Sequence, residues 1–457
     1  MELFVVGAGY VGLTTAVGFS QLGHRVTVHD IDVARVATLA AGRSPILEAG
    51  MDGAIAAGVA AGTLAFTTEP EPPRGTSAAI VCVPTPAGSD GLLDTSIVEA
   101  VVGSLAVSLP AHVPIVVRST LPLHGPDRLE AATAAPGKRA NAATAATAAG
   151  GATDASGAAP GRPVIVNPEF MREGRALADF AAPSRVVIGY LRESDREAAG
   201  AFAELYAPLG APLVLADARS VVLLKLASNV YLGLKVAFAD ELARLADAIG
   251  ADVSVVADGI GMDPRIGRSF LDSGPGFGGS CLPEQAAAIA VEAGSRDLEA
   301  PILQAVWPSN RTHQAQLVAT VGSLLPAGLD GARVALLGLA FKANTDDVRH
   351  SPGLALAAEL RAAGATVIGF DPVANEAAAR ADADLAVAPS AVAAAAGVDA
   401  VVVATEWPAF AELDWAAIKA AMRGDLVYDT RRILAPDAVR AAGLRYRALG
   451  KPAEARP

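Results

Sequence analysis

The order of apolar and polar positions divides this chain into repeated strand–helix units. The opening Glu2-Leu-Phe-Val-Val-Gly reads as a buried parallel strand that runs into Gly7-Ala-Gly-Tyr-Val-Gly12. A helical pattern follows from Leu13 to Gly23, and then a second strand, Arg25-Val-Thr-Val-His-Asp30. Apolar runs at Ala78–Val83, Ile115–Val117, Val164–Val166 and Val186–Gly189 predict further strands, with helix-like stretches between most of them. From Ser220 to Ile249 the apolar positions fit one long helix, which Gly250 can end. A second strand–turn–helix unit begins at Arg333-Val-Ala-Leu-Leu-Gly-Leu339 and continues through strands at Thr366–Phe370, Ala400–Ala404 and Leu426–Tyr428.

Alternation of this kind predicts an α/β fold: two Rossmann-like, doubly wound parallel sheets joined by a long central helix. A length of 457 residues exceeds what one core organises. The expected division is an N-terminal dinucleotide-binding domain over 1–195, a central helical domain over 196–310 and a C-terminal Rossmann-like domain over 311–457. Residues 131–162 are almost entirely Ala, Gly, Thr and Pro and read as an exposed insertion in the first domain.

Composition narrows the function. The hydrophobic fraction of 52% looks membrane-like, but alanine supplies much of it, and no uninterrupted apolar run reaches the ~18 residues of a spanning helix. The apolar N-terminus lacks a basic leader and is spaced by glycines, unlike a signal peptide. Two cysteines far apart in sequence fit a reducing cytoplasm rather than a disulfide framework. A net charge of −12 disfavours nucleic acid or an anionic membrane as partner. The six histidines are scattered, and no Cys/His spacing resembles a metal-ligand set.

Four constellations carry chemistry. Gly7, Gly9 and Gly12 lie between a strand and a helix, where backbone N–H groups can receive the pyrophosphate of a nicotinamide or flavin dinucleotide; a tight turn for packing only is the plainer reading. Asp30 lies 18 residues after Gly12, where a carboxylate accepts ribose hydroxyls and repels a 2′-phosphate, which favours NAD over NADP. Lys225 and Asn229, four apart, fall on one face of the long apolar helix and can donate to an oxyanion; a snorkelling lysine beside a capping amide is the plainer reading. Glu169 and Glu173, in Asn167-Pro-Glu-Phe-Met-Arg-Glu-Gly174, follow a strand and are spaced by one helical turn. Arg118-Ser-Thr-Leu-Pro122 ends another strand and places a hydroxyl at Thr120. Last, Cys281 closes Gly274-Pro-Gly-Phe-Gly-Gly-Ser-Cys, whose glycines allow close approach of backbone and ligand, as a nucleophilic thiol needs. The bland alternative is a small buried hydrophobe in a turn.

Taken in order, these pieces resemble the UDP-glucose/GDP-mannose dehydrogenase family. The resemblance runs through Gly7–Gly12, Val83-Pro-Thr-Pro86, Arg118–Pro122, Asn167–Gly174, Lys225–Asn229, Gly276–Cys281, Gly338-Leu-Ala-Phe-Lys342 and Thr345-Asp-Asp-Val-Arg349. It implies an NAD-dependent, four-electron oxidation of a nucleotide sugar's C6 alcohol to a carboxylate, by way of a thiohemiacetal and a thioester on Cys281. It further implies that Lys225 and Asn229 stabilise oxyanions, that Glu169 activates water, and that Thr120 holds a water. Cofactor contacts fall to Gly7, Gly9, Tyr10, Val11, Gly12, Asp30, Arg35, Pro84, Thr85, Ser119, Thr120, Glu173 and Arg349. Substrate contacts fall to Glu169, Phe170, Lys225, Asn229, Arg265, Phe270, Phe277, Gly278 and Lys342, with Arg265 reaching across a homodimer built on the central helix. Arg265's segment favours UDP-glucose; other motifs fit GDP-mannose or another UDP-sugar equally well.

The chain departs from the family where a Lys-Asp pair normally follows the cysteine: here Glu284-Gln285 stand instead. Glutamine hydrogen-bonds but takes no proton. Val222 replaces a common glutamate, Asp240 a usual asparagine, and Arg432 follows Arg431 near a strand end. Three readings compete: an acid–base role moved to Glu284, a slowed enzyme, or an inactive nucleotide-sugar-binding paralogue. A two-electron β-hydroxyacid-type dehydrogenase shares the first domain and the helical lysine, but has no use for Cys281 or a second Rossmann unit.

Overall fold

The computed structural model describes residues 1–88, 91–133 and 162–452, which form two compact units, Met1–Lys225 and Leu226–Pro457. Among the described residues the first unit holds eight strands: β1 (Glu2–Val6), β2 (Arg25–His29), β3 (Leu64–Thr67), β4 (Ala78–Val81), β5 (Ile115–Val117), β6 (Val164–Val166), β7 (Val186–Tyr190) and β8 (Leu213–Asp217). They form one sheet in the order β3-β2-β1-β4-β5-β6-β7-β8. The central strands are apolar on both faces because helices cover both, as doubly wound sheets require. β3 and β8, absent from the strand pattern above, are edge strands whose partly exposed sequences carry little apolar periodicity.

One expectation fails here. The sheet is not wholly parallel: β7 runs antiparallel to β6, pairing Ile165 with Tyr190 and Val166 with Gly189. The only helix between them, Ala176–Ala181, has six residues and spans about 9 Å, too short to serve as the usual crossover helix. The first fingerprint helix starts at Tyr10 and ends at Gln21, not Leu13–Gly23. Of the proposed insertion, residues 131–133 belong to the helix Gly125–Thr133, and Arg162 donates to the carbonyls of Ala106, Leu109, Pro110 and Val113. Residues 134–161 lie outside the described residues.

The second unit has six strands: β9 (Arg333–Leu337), β10 (Thr366–Phe370), β11 (Ala386–Val387), β12 (Ala400–Val403), β13 (Leu426–Asp429) and β14 (Arg445–Ala448). All pair in parallel, in the order β11-β10-β9-β12-β13-β14, with apolar clusters on the two faces of the sheet. The long helix runs Ala218–Ile249, and Gly250 ends it with φ +73°, a conformation glycine adopts freely. By length and apolar composition this helix would suffice to cross a membrane. Lys225, Asn229 and Asp240 on it are nevertheless buried and hydrogen-bonded inside the fold, the pattern of a core helix.

Candidate active site

The glycine turn of the first unit is set by close packing. Gly7 has φ +99°, and a Cβ there would lie 2.7 Å from the Cys82 carbonyl oxygen. A Cβ on Gly12 would lie 1.8 Å from the Gly7 oxygen, so the helix can seat on the turn only with glycine at both places. Gly9 is different: its missing side chain faces open space at the N-cap of the Tyr10–Gln21 helix, and no side chain caps the first-turn amides. A pyrophosphate can approach there.

Asp30 ends the second strand with Oδ2 accepting the Ala8 N–H at 2.7 Å and Oδ1 accepting the Asp32 N–H at 2.9 Å. Arg35 reaches Oδ2 at 3.2 Å. Burial opposes the charge, but these amides and the guanidinium hold the carboxyl below its usual range. An ionised Asp30 that already neutralises Arg35 suits ribose hydroxyls and disfavours a 2′-phosphate, so the residues present fit NAD. Tyr10 turns away from a purely cofactor role. Its hydroxyl donates to Glu48 and accepts the Gly174 N–H, tying the glycine turn to the loop that carries Glu169. Ser119 Oγ donates to the Val83 carbonyl at 2.7 Å, which fixes the chain just before Pro84 and Thr85, and half-buried Thr120 follows it.

Glu169 and Glu173 do not share a helix, contrary to their spacing. Pro168 and Gly174, the latter at φ +77°, bound an irregular loop, and helix begins only at Ala176. Within this loop Glu169 Oε2 accepts its own Met171 N–H at 2.7 Å, while Lys225 Nζ donates to Oε1 at 3.1 Å and also to the Glu169 carbonyl. Both side chains are buried. The Lys225 ammonium also lies 5.0 Å from the Phe170 ring centroid, with the Arg185 guanidinium at 4.0 Å. Lys225 is therefore a held cation beside a carboxylate, not a snorkelling surface lysine.

In the second unit Cys281 is exposed and is the first residue of the helix Cys281–Gly294, with Ser280 at the N-cap. The buried-hydrophobe reading is thereby excluded. An anion forming at this position lies at a helix N-terminus, where the helix dipole stabilises negative charge. The other cysteine, Cys82, is buried, and burial pushes its thiol up to about 12. The glycines before Cys281 serve protein packing more than ligand approach. A Cβ on Gly274 would meet Arg431 at 2.7 Å, on Gly276 the Asn310 Oδ1 at 2.4 Å, and on Gly278 the His350 carbonyl at 2.4 Å. One turn into the helix, buried Gln285 accepts from Asn229 Nδ2 at 3.0 Å. Glu284 Oε1 lies 3.7 Å from His350 Nε2.

Of the remaining expected contacts, Gly278, Lys342 and Arg349 lie on segments that pack together, with the Gly279 N–H donating to the Arg349 carbonyl at 2.9 Å. Phe277 is buried against Trp307, with ring centroids 5.9 Å apart. Phe270 sits at φ +65° and is partly exposed. Lys342 Nζ lies 5.7 Å from the Phe341 ring centroid. Arg265 and Arg349 are exposed and fold back on their own loops, onto Asp263 and Asp347 respectively. Among the described residues no group of three or more metal-ligating side chains occurs.

Sequence reasoning missed two buried polar groups. Arg118 donates to Asn167 and to Tyr206 Oη (2.6 Å), and Asn167 Nδ2 donates to the Val187 carbonyl at 2.8 Å, which ties the ends of β5, β6 and β7. Asp371, at the end of β10, is fully buried and accepts from Leu339, Ala340, Val373 and Ala374 N–H groups and from Trp407 Nε1. It occupies the place in the second sheet that Asp30 holds in the first. With every lone-pair direction in use, it is committed to its own turn and has nothing left for a ribose. The only sequence signal for either group was an Arg, Asn or Asp at a strand end.

The first unit's sheet and its dinucleotide turn define the class: an NAD-dependent dehydrogenase. Comparisons with known proteins carry this further. Three family descriptions match in succession: the UDP-glucose/GDP-mannose dehydrogenase NAD binding domain over residues 1–210, the central domain over 219–312 and the UDP binding domain over 335–436. UDP-glucose 6-dehydrogenase of Rhizobium meliloti is 36% identical across 99% of this chain and 100% of its own length. UDP-glucose 6-dehydrogenase AglM of Haloferax volcanii is 37% identical across 98% and 100%. Among solved structures, a UDP-glucose dehydrogenase from Pyrobaculum islandicum matches with TM-score 0.84 and 34% identity over 98% of each chain. A UDP-D-ManNAc dehydrogenase from Pyrococcus horikoshii matches with TM-score 0.80 and 25% identity over 99% of each. The chain belongs to the UDP-glucose/GDP-mannose dehydrogenase family and has that family's two Rossmann-like domains and central helical domain.

Proposed function

We propose that this protein oxidises the C6 hydroxyl of UDP-glucose to the carboxylate, forming UDP-glucuronate. The observation that carries the reading is the exposed Cys281 at the head of its helix, in a chain matched end to end by UDP-glucose 6-dehydrogenases. NAD, when bound, supplies the oxidising power, two molecules per sugar. The overall balance is one alcohol, two NAD⁺ and one water giving one carboxylate, two NADH and three protons.

The protein's own residues divide the remaining work. The Cys281 thiolate adds to the C6 aldehyde left by the first oxidation, and the oxyanion of that adduct is met by Lys225 and Asn229 as donors. After the second oxidation the adduct is a thioester. Glu169 takes a proton from water as its oxygen attacks the acyl carbon, and the C–S bond breaks to return the thiolate. The buried Lys225–Glu169 pair supports both roles, since it sets the donor and the carboxylate 3.1 Å apart in one place. Thr120 holds a water near the reacting centre. Arg265, Phe270, Phe277, Gly278 and Lys342 contact the nucleotide sugar, and Arg349 and Glu173 the cofactor.

A homodimer is part of the reading. Tyr231, Phe238 and Leu245 are exposed apolar residues seven apart on the long helix, and Ile249 extends the stripe, as a helix-pairing seam would. Sedimentation as a monomer at micromolar concentration contradicts it. For the substrate, kcat/KM is compared for UDP-glucose, GDP-mannose and UDP-N-acetylmannosamine. UDP-glucose is expected to lead by at least ~10-fold, the discrimination a few lost hydrogen bonds provide. A lead for either competitor replaces UDP-glucose as the substrate.

A further inference from the structure

The chain leading to Cys281 is held by buried side chains that the proposed chemistry leaves without a role. Arg432 donates to the Ser273 hydroxyl and carbonyl, each at 2.8 Å. Gly274 is gripped on both sides: its N–H donates to Asp240 Oδ1 at 2.8 Å, and its carbonyl accepts from His313 Nε2 at 2.7 Å. Asn310 completes the set, accepting the Phe277 N–H at 2.8 Å and donating to the Phe277 carbonyl at 3.1 Å. Asp240 comes from the Ala218–Ile249 helix, and Asn310 and His313 from the helix Pro301–Leu324. All three side chains are wholly buried.

The neighbours fix the protonation of this pair. Arg244 lies 2.8 Å from His313 Nδ1, and a guanidinium only donates. Nδ1 therefore accepts, the ring proton sits on Nε2 toward Gly274, and the imidazole is neutral. Among the described residues Asp240 Oδ2 has no hydrogen-bond partner, and a half-satisfied carboxylate in a dry interior is costly when ionised. Burial is the main cause in both cases: it raises Asp240 to about 7 and lowers His313 to about 4. The charged groups facing Asp240 are Arg431 and Arg432 after β13, Arg244 on its own helix, and His313 at 3.7 Å. Those facing His313 are Arg244, Asp247 and Glu241.

We propose that Asp240 and His313 are positioning residues for Cys281, which set the course of the 274–280 loop by holding Gly274 and so govern how the thiol is presented. Neither touches the thiol, and the inference rests on Cys281 being the nucleophile. An asparagine at 240, the residue the family resemblance implies there, offers the same acceptor without a titrating proton. Asp240 thus adds a pH dependence to a grip that the amide alone would supply.

The test is iodoacetamide alkylation of the native protein, read by mass spectrometry of the Cys281 peptide. Cys82 is buried, so the native-state rate reports Cys281 and requires no turnover. Asp240→Leu and His313→Phe each remove one grip. They are expected to change the alkylation rate by ~10-fold or more and to lower kcat more than they raise KM, the cost of a slightly misplaced reacting group. Asp240→Asn should alkylate within about twofold of the parent at pH 6, where both present a neutral acceptor. Their ratio should then bend by about threefold toward pH 8, as Asp240 ionises and its charge-assisted bond to Gly274 tightens. Parent-like alkylation in the Leu and Phe variants overturns the proposal. Should those variants fold poorly, a ratio of parent to Asp240→Asn that stays flat from pH 6 to 8 overturns it as well. A protein that shows these alkylation shifts but oxidises no nucleotide sugar upholds the grip and instead sinks the catalytic reading.

Discussion

At position 285 a carboxamide stands where the family resemblance implies an aspartate, and its oxygen is occupied by Asn229 at 3.0 Å. A glutamine there can orient Asn229 but cannot carry a proton, so in the proposed mechanism the acid–base work falls to Glu169 and Glu284. Glu284 sits three residues after Cys281 on the same helix, a spacing that makes side chains neighbours, and His350 faces it. General acid–base assistance contributes ~10²–10⁴-fold. Gln285→Asp is therefore expected to raise kcat by roughly tenfold or more, and Glu284→Gln to lower it by a similar factor. Unchanged kcat in Glu284→Gln would leave the proton handling with Glu169 alone. Legibility at this scale followed local contrast. Lys225, Asn229 and Cys281 stand out as polar or reactive residues in apolar or glycine-rich runs. Asn310 and His313 do not, and Asp240 showed only as a departure from a usual asparagine, because their partners at Gly274 and Phe277 are 33 to 39 residues away in sequence.

Among elements, the long helix and the two glycine turns were readable because periodicity and φ-demanding glycines are local properties. The antiparallel β7 and the irregular Glu169 loop were not. Both depend on how a short helix and a proline redirect the chain in three dimensions, and a spacing of four residues reads as helical regardless. The two helices that hold Gly274 also make a stability prediction. A depressed His313 lets the unfolded chain take up a proton first, so its contribution is lost as pH falls from 6.5 to about 4. A raised Asp240 does the opposite: the folded chain keeps a proton the unfolded one has released, so stability is lost as pH rises from 3.8 to about 7. Between roughly pH 4 and 6.5 the two slopes cancel, since one proton is held in either state. Asp240→Asn removes the alkaline penalty and exposes the acid slope. Urea unfolding should show it more stable than the parent at pH 8, by an amount on the order of 1 kcal/mol or more, with the advantage shrinking toward pH 4. An advantage that does not vary with pH contradicts the assignment.

For the molecule as a whole, repetition of one architecture with different commitments is the main finding. Asp30 and Asp371 occupy matching places after the second strand of their sheets, yet only Asp30 retains partial access and an arginine partner. The first sheet can thus receive NAD, while the second uses the same carboxylate to brace its own turn, in keeping with its match to a UDP binding domain. Two Rossmann-like halves were legible from motif order; that Cys281 opens a helix was not. Which glycine packs on protein and which faces open space was not, because that depends on tertiary neighbours. A four-electron oxidation through a thioester on Cys281 is tested by counting products. NADH and UDP-glucuronate are measured per UDP-glucose consumed, for the parent protein and for Cys281→Ala. Two NADH per UDP-glucose are expected for the parent, and no UDP-glucuronate from the variant. One NADH per sugar, unchanged by the substitution, would contradict it.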